Sequence, residues 1–162
     1  MTKSTYDARR WQLGERPGEY KKHDYVTGRE EVGASPEDVA EEVGELLAGL
    51  QDVPDGNSLT AAACFHCKLE NIHPFADGNG RVGRLVMNYF LLLHNHPPII
   101  IHEEDRRSYF DALEAWDTVQ DLLPMIAFLK EQTDKTWQKR IDRKLKKQCK
   151  VPWVQNYTTP CF

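Results

Sequence analysis

Between His73 and Arg84 the chain places one imidazole, one carboxylate, three glycines and two guanidinium groups in twelve consecutive residues, His73-Pro74-Phe75-Ala76-Asp77-Gly78-Asn79-Gly80-Arg81-Val82-Gly83-Arg84. A helix opening near Gly80 begins with N–H groups that have no partner and with a positive dipole end. Gly78 and Gly80 let the main chain turn tightly there and come close to an anion. Arg81 and Arg84, three positions apart, both reach the same anion. Asp77 is a hard oxygen ligand suited to Mg²⁺ on a phosphate. His73, with an ordinary pKa of about 6.5, is mostly neutral at pH 7, the form a general base requires. Together these residues describe a site that holds a polyphosphate and activates a hydroxyl.

Gly78 to Gly83 also spells G-x-G-x-x-G, with Glu103 placed downstream behind Ile99-Ile100-Ile101. That dinucleotide fingerprint needs a buried strand immediately before it and repeated βα units. Asn71, His73, Pro74 and Asp77 stand there instead, and no series of strands follows.

The full set satisfies H-x-F-x-[D/E]-G-N-G-R-x-x-R at every specified position, and in this the chain resembles the Fic family. The helix ending Glu70-Asn71-Ile72, the apolar stretch after the motif, Pro97-Pro98-Ile99 and the Arg106 to Trp116 segment also look like that family's core. The resemblance covers roughly residues 20–129. It implies an all-α, compact helical bundle around a central buried helix, with a small β-hairpin flap near the active site. The implied activity is protein adenylyl transfer, AMP passing from Mg·ATP to a Ser, Thr or Tyr hydroxyl of a target protein. Carried over by motif position, His73 deprotonates the hydroxyl and Asp77 holds Mg²⁺. Gly78, Asn79 and Gly80 form the anion cradle, and Arg81 and Arg84 bind the triphosphate. Phe75 packs the loop. The flap, near residues 24–34, docks the target as an added strand. Both glycines around Asn79 stand, which favours nucleotidyl transfer over the kinase-like and phosphocholine-transferring branches.

Many relatives carry an inhibitory [S/T]-x-x-x-E-[G/N] helix whose Glu pairs with the second motif Arg. The near match here runs from Thr27 to Glu31 and is followed by Val32. A separate inhibitory protein supplying that Glu, a trimmed parent chain and an unrestrained enzyme are the three readings left. The rival function is a degenerate domain that binds nucleotide or a partner without catalysis. It predicts decay at His73 or Arg84, and both stand.

The elements that must position this motif are helical. Ser35-Pro36-Glu37-Asp38 reads as a capped helix start, followed by Val39, Val43, Leu46, Leu47 and Leu50 on one face. Pro54-Asp55-Gly56-Asn57 is a turn, after which Ser58 can cap a second helix bearing Leu59, Ala62, Phe65 and Leu69. Pro74 closes that helix. A third helix runs from the glycines through Leu85, Val86, Tyr89, Phe90, Leu92 and Leu93. Its apolar face is too broad for a surface helix and predicts the central, largely buried one. A fourth carries Tyr109, Phe110, Leu113 and Trp116, and a fifth spans roughly 122–147. Glycines and β-favouring residues across 16–34 suggest a hairpin.

At 162 residues the chain is most simply one domain, with a core at about 20–129 and a basic helix and tail at 130–162. Its composition, 40% hydrophobic and 28% charged, is that of a soluble protein, and no run approaches a membrane span. The N-terminus has no apolar core of a signal peptide, which gives a cytoplasmic expectation or export by a dedicated machine. A net charge of −4 argues against nucleic acid as partner, although residues 135–150 hold eight basic residues against Asp142 alone. Cys64 and Cys67 read as reduced core thiols, His66, Tyr109 and Trp116 as core residues, and His94, His96 and His102 as a turn without metal spacing.

Overall fold

The computed structural model describes residues 6–26, 33–54 and 56–148. Within these residues six α-helices occur in this order: α1 (Ala8–Gln12), α2 (Val39–Ala48), α3 (Ser58–Ile72), α4 (Asn79–Leu93), α5 (Arg106–Val119), which follows a single 3₁₀ turn at Glu103–Asp105, and α6 (Leu123–Gln148). The described residues contain no strand. None of their helices is long and apolar enough to cross a membrane.

The helix at the centre is α3, not the one that follows the glycines. It packs against α2, α4, α5 and α6. Its Ala62, Ala63 and Cys67 meet Met87 and Leu91 of α4 and Met125 and Leu129 of α6, while Phe65, Leu69 and Ile72 meet Val39 and Val43 of α2. The small residues Ala62 and Ala63 let neighbouring helices approach it closely. By contrast, α4 buries Gly83, Met87, Phe90 and Leu91 and leaves Leu85, Tyr89, Leu92 and Leu93 half or more exposed. A wide apolar face was expected to be covered on all sides. A helix lying against one neighbour covers a single stripe, and periodicity reports the apolar face, not what stands against it.

Smaller departures are local. Ser35 does not cap a helix at Pro36; its Oγ donates to Asp38 Oδ2 at 2.7 Å, the N–H groups of Asp38 and Val39 bond Ser35 O, and α2 starts one turn later. Ser58 is the first residue of α3 and not its cap. The short α1 was not expected from sequence, although Asp7 ahead of it is an N-cap, its Oδ1 accepting from Arg10 N at 2.8 Å.

The expected hairpin over 16–34 is absent from its described parts, and residues 27–32 lie outside them. Residues Pro17 and Gly18 do turn, with Glu19 N–H bonding Arg16 O. The strand partner that a hairpin would need is replaced by the loop after α3. Lys21 N–H bonds Pro74 O at 2.9 Å, and Ala34 N–H bonds Ile72 O at 3.0 Å. Both ends of the segment are thus tied beside His73.

Candidate active site

α3 ends at Ile72 because His73 adopts the left-handed conformation (φ 53°), its N–H capping Leu69 O at 3.0 Å. Glycine is the usual occupant of such a C-cap, and any other residue there carries backbone strain of about 1 kcal/mol. The outcome is an imidazole held at the mouth of the following loop. His73 Nδ1 donates to Glu70 O at 3.3 Å, so in the neutral ring the lone pair belongs to Nε2.

Pro74, which has no N–H for another helical bond, is buried. Asn79 then braces the loop from inside: Oδ1 accepts from Phe75 N at 2.8 Å and Nδ2 donates to Phe75 O at 2.7 Å. Its side chain is therefore committed to the loop, and only its backbone can join the expected anion cradle. Phe75 packs against the ring of Tyr20, with centroids 5.8 Å apart. At Gly78 the chain enters α4 with φ 91°, a conformation that glycine adopts without penalty. Gly78 O accepts from both Arg81 N and Val82 N, which leaves the N–H groups of Asn79 and Gly80 ahead of the helical ladder.

His73, Asp77, Gly78, Asn79, Gly80, Arg81 and Arg84 border one open cavity of about 390 Å³. The structure thus brings together every residue that the motif assigned to catalysis, nucleotide or metal, while Phe75 packs outside the cavity lining. Asp77 and Arg81 form an ion pair at 3.7 Å. Among the described residues no group of three or more His, Cys, Asp or Glu side chains could hold a metal ion. Among the described residues the cavity offers Asp77 as a single carboxylate. That suits Mg²⁺, which keeps waters and takes phosphate oxygens for most of its shell.

Arg10, which sequence reasoning missed, borders the same cavity, as do Tyr25 and Val26, which lie in the segment expected near the active site but were not singled out as site residues. They come from α1 and the segment after it. Glu15, fully buried, organises them: its Oε1 accepts from Lys22 N at 2.9 Å and from Tyr25 Oη at 2.8 Å, with His23 Nδ1 at 3.1 Å. Burial pushes the Glu15 carboxyl up, but these donors outweigh it and the net shift is downward. Burial and the Glu15 bond push the Tyr25 phenol up to about 12. The Arg10 guanidinium sits 6.0 Å from the Tyr25 ring centroid. No sequence signal marks Glu15 for this role, because its partners are set by tertiary contacts.

Behind the α4 N-terminus lies a second polar group. His66 Nε2 and Tyr109 Oη are 2.9 Å apart, and both residues are buried. Burial, with Arg84 adding repulsion, lowers His66 to about 4. Burial raises Tyr109 as well, with Glu70 adding to the rise. It also pushes Cys67 up to about 12 and Glu70 up to about 7, Arg84 opposing the latter. His66, Cys67 and Tyr109 are therefore core residues, as their sequence context suggested.

A sequence profile of the Fic/DOC family matches residues 3–91. Over 75 residues the chain is 43% identical to the protein adenylyltransferase Fic of Aedes aegypti and to that of Drosophila melanogaster. Each match takes in 46% of this chain and 15% of the relative, so the chain matches only a small part of those proteins' length. Among solved structures, Fic-1 of C. elegans superposes with a TM-score of 0.70 at 28% identity, over 83% of this chain and 39% of that one. A Fic domain containing signaling protein from Bacteroides thetaiotaomicron gives 0.65 at 28% identity, over 75% and 53%.

Proposed function

The chain belongs to the Fic/DOC family, and on that premise we propose that it transfers AMP from Mg·ATP to a Ser, Thr or Tyr hydroxyl of a target protein. His73 Nε2 takes the proton as the hydroxyl oxygen attacks the α-phosphorus, and the bond to pyrophosphate breaks. Arg81, Arg84 and the first N–H groups of α4 hold the charged leaving portion in line, so the chain contributes position and electrostatic complementarity to a transfer that needs little else. Asp77 would hold Mg²⁺, whose charge offsets that of the phosphate oxygens. The Asp77–Arg81 pair keeps carboxylate and guanidinium side by side at the cavity wall.

The observation that carries this reading is the convergence of His73, Asp77, Arg81 and Arg84 on one cavity at a helix start. The Lys21–Pro74 and Ala34–Ile72 bonds support a target-docking role for the segment between them, because they fix its two ends next to His73.

The test uses ATP labelled at either the α- or the γ-phosphorus, incubated with Mg²⁺, the protein and a cell lysate. Label is expected in protein from the α-position only, with an intact-mass gain of one adenylyl group. Label from the γ-position would make the protein a kinase. Tight nucleotide binding with no label would make it a binding module.

A further inference from the structure

The back of the α4 N-terminus holds a carboxyl that the scheme above does not use. Glu70 lies one turn before His73 on α3, and its Oε1 is closed off from solvent without a hydrogen-bond partner. Gly80 and Gly83 make the room for it. A Cβ on Gly83 would stand 3.2 Å from Glu70 Oε1, and one on Gly80 would stand 3.4 Å away. That same point on Gly80 is 3.1 Å from Arg84 Nη1. Glu70 and Arg84 therefore approach the same point beside Gly80, and of the two only Arg84 also borders the cavity.

We infer that Glu70 is a positioning residue for Arg84, and that its ionisation loosens the grip of the anion cradle on a nucleotide's phosphates. This rests on the nucleotide reading above. A carboxylate behind the cradle draws the guanidinium back and subtracts a charge from the site, whereas a protonated carboxyl does neither. The groups facing Glu70 are His66 and Cys67 on its own helix, Arg84 on α4, and Tyr109 and Asp117 on α5. His66, at about 4, stays neutral near pH 7, and so does Cys67, at about 12; Tyr109 is raised above its ordinary value. Glu70, raised by burial to about 7, changes charge there. A phosphate bound in front of it raises that value further. By linkage, affinity is highest with Glu70 protonated, falls as pH rises past about 7, and levels off above the pKa of the complex.

The experiment is a titration of the full chain with Mg·α,β-methylene-ATP, which cannot release AMP, from about pH 6 to about pH 8.5. Wild type is expected to bind roughly tenfold more weakly at the upper end. Glu70→Gln, neutral and of the same shape, is expected to keep the tight value throughout. Any titration of the nucleotide itself shows equally in both proteins. Parallel profiles would overturn the role of Glu70 alone. Absence of binding by both proteins at every pH would overturn the nucleotide reading and this inference with it. Should Glu70→Gln not fold, the ¹³C signal of the Glu70 carboxyl in the wild-type chain carries the test. Its midpoint must move upward when the analogue binds, and an unmoved midpoint overturns the proposal.

Discussion

The two sides of the α4 N-terminus treat charge in opposite ways. On the front, Asp77, Arg81 and Arg84 face a cavity open to solvent, and Asp77 and Arg81 keep their charges side by side. On the back, His66 of α3 and Tyr109 of α5 are buried and Glu70 Oε1 is closed off from solvent, and burial pushes each group toward its neutral form. The glycines divide in the same manner. Gly78 serves the front through its backbone, at φ 91°. Gly83 has ordinary helical geometry and serves the back by absence of a side chain, since a Cβ there would fall 2.9 Å from His66 Nδ1. A single motif thus specifies both a binding surface and the packing that supports it.

The largest expected effect breaks the front without touching the back. His73→Ala should retain nucleotide binding while lowering the transfer rate by roughly 10²–10⁴-fold, the usual worth of a general base. Label transfer at the wild-type rate would remove His73 from that role. Gly83→Val attacks the back, because a branched side chain meets a His66 ring that has no space to retreat. It should cost about 3 kcal/mol, read as a lower urea midpoint with an unchanged slope. A wild-type midpoint would mean that the two helices can separate freely. Arg84→Ala should weaken Mg·ATP binding by about 2 kcal/mol by calorimetry, the range for a hydrogen bond to a charged group. Equal affinity would place the phosphates elsewhere.

The finest test separates two buried groups by sign. His66, about 4 in the fold against 6.5 ordinarily, contributes stability that is present above about pH 6.5 and lost as pH falls toward 4. Glu70, about 7 against 4.5, contributes stability that is present below about pH 4.5 and lost as pH rises through 7. Between about pH 4.5 and 6.5 the two slopes oppose, each at most about 1.4 kcal/mol per pH unit. Glu70→Gln should therefore steepen the loss of stability on acidification, measured by urea unfolding across that window. An unaltered slope would show that Glu70 does not hold its proton there.

Much of this was legible residue by residue. Pro74 and Gly78 place the end of α3 and the entry to α4 because their backbones permit few alternatives. The types and order of His73, Asp77, Arg81 and Arg84 announce anion and hydroxyl chemistry, because adjacent residues on a loop and first helical turn must share a neighbourhood. Asn79 was read only in part, since nothing in its position tells whether its amide faces a ligand or the Phe75 backbone. Glu15 and Glu70 were not read at all as structural groups. Each looks like any other surface carboxylate until its neighbours are known.

Local sequence determined which residues meet at the cavity mouth, for chain connectivity leaves them nowhere else to go. Tertiary structure alone decided that α3 lies at the centre, that α4 leaves Leu85, Tyr89, Leu92 and Leu93 uncovered, and that Arg10 joins a motif far downstream. It also decided that Glu70 sits in a pocket dry enough to change its charge near neutral pH. Burial and desolvation depend on what packs from outside a segment, and that information is spread over the whole chain.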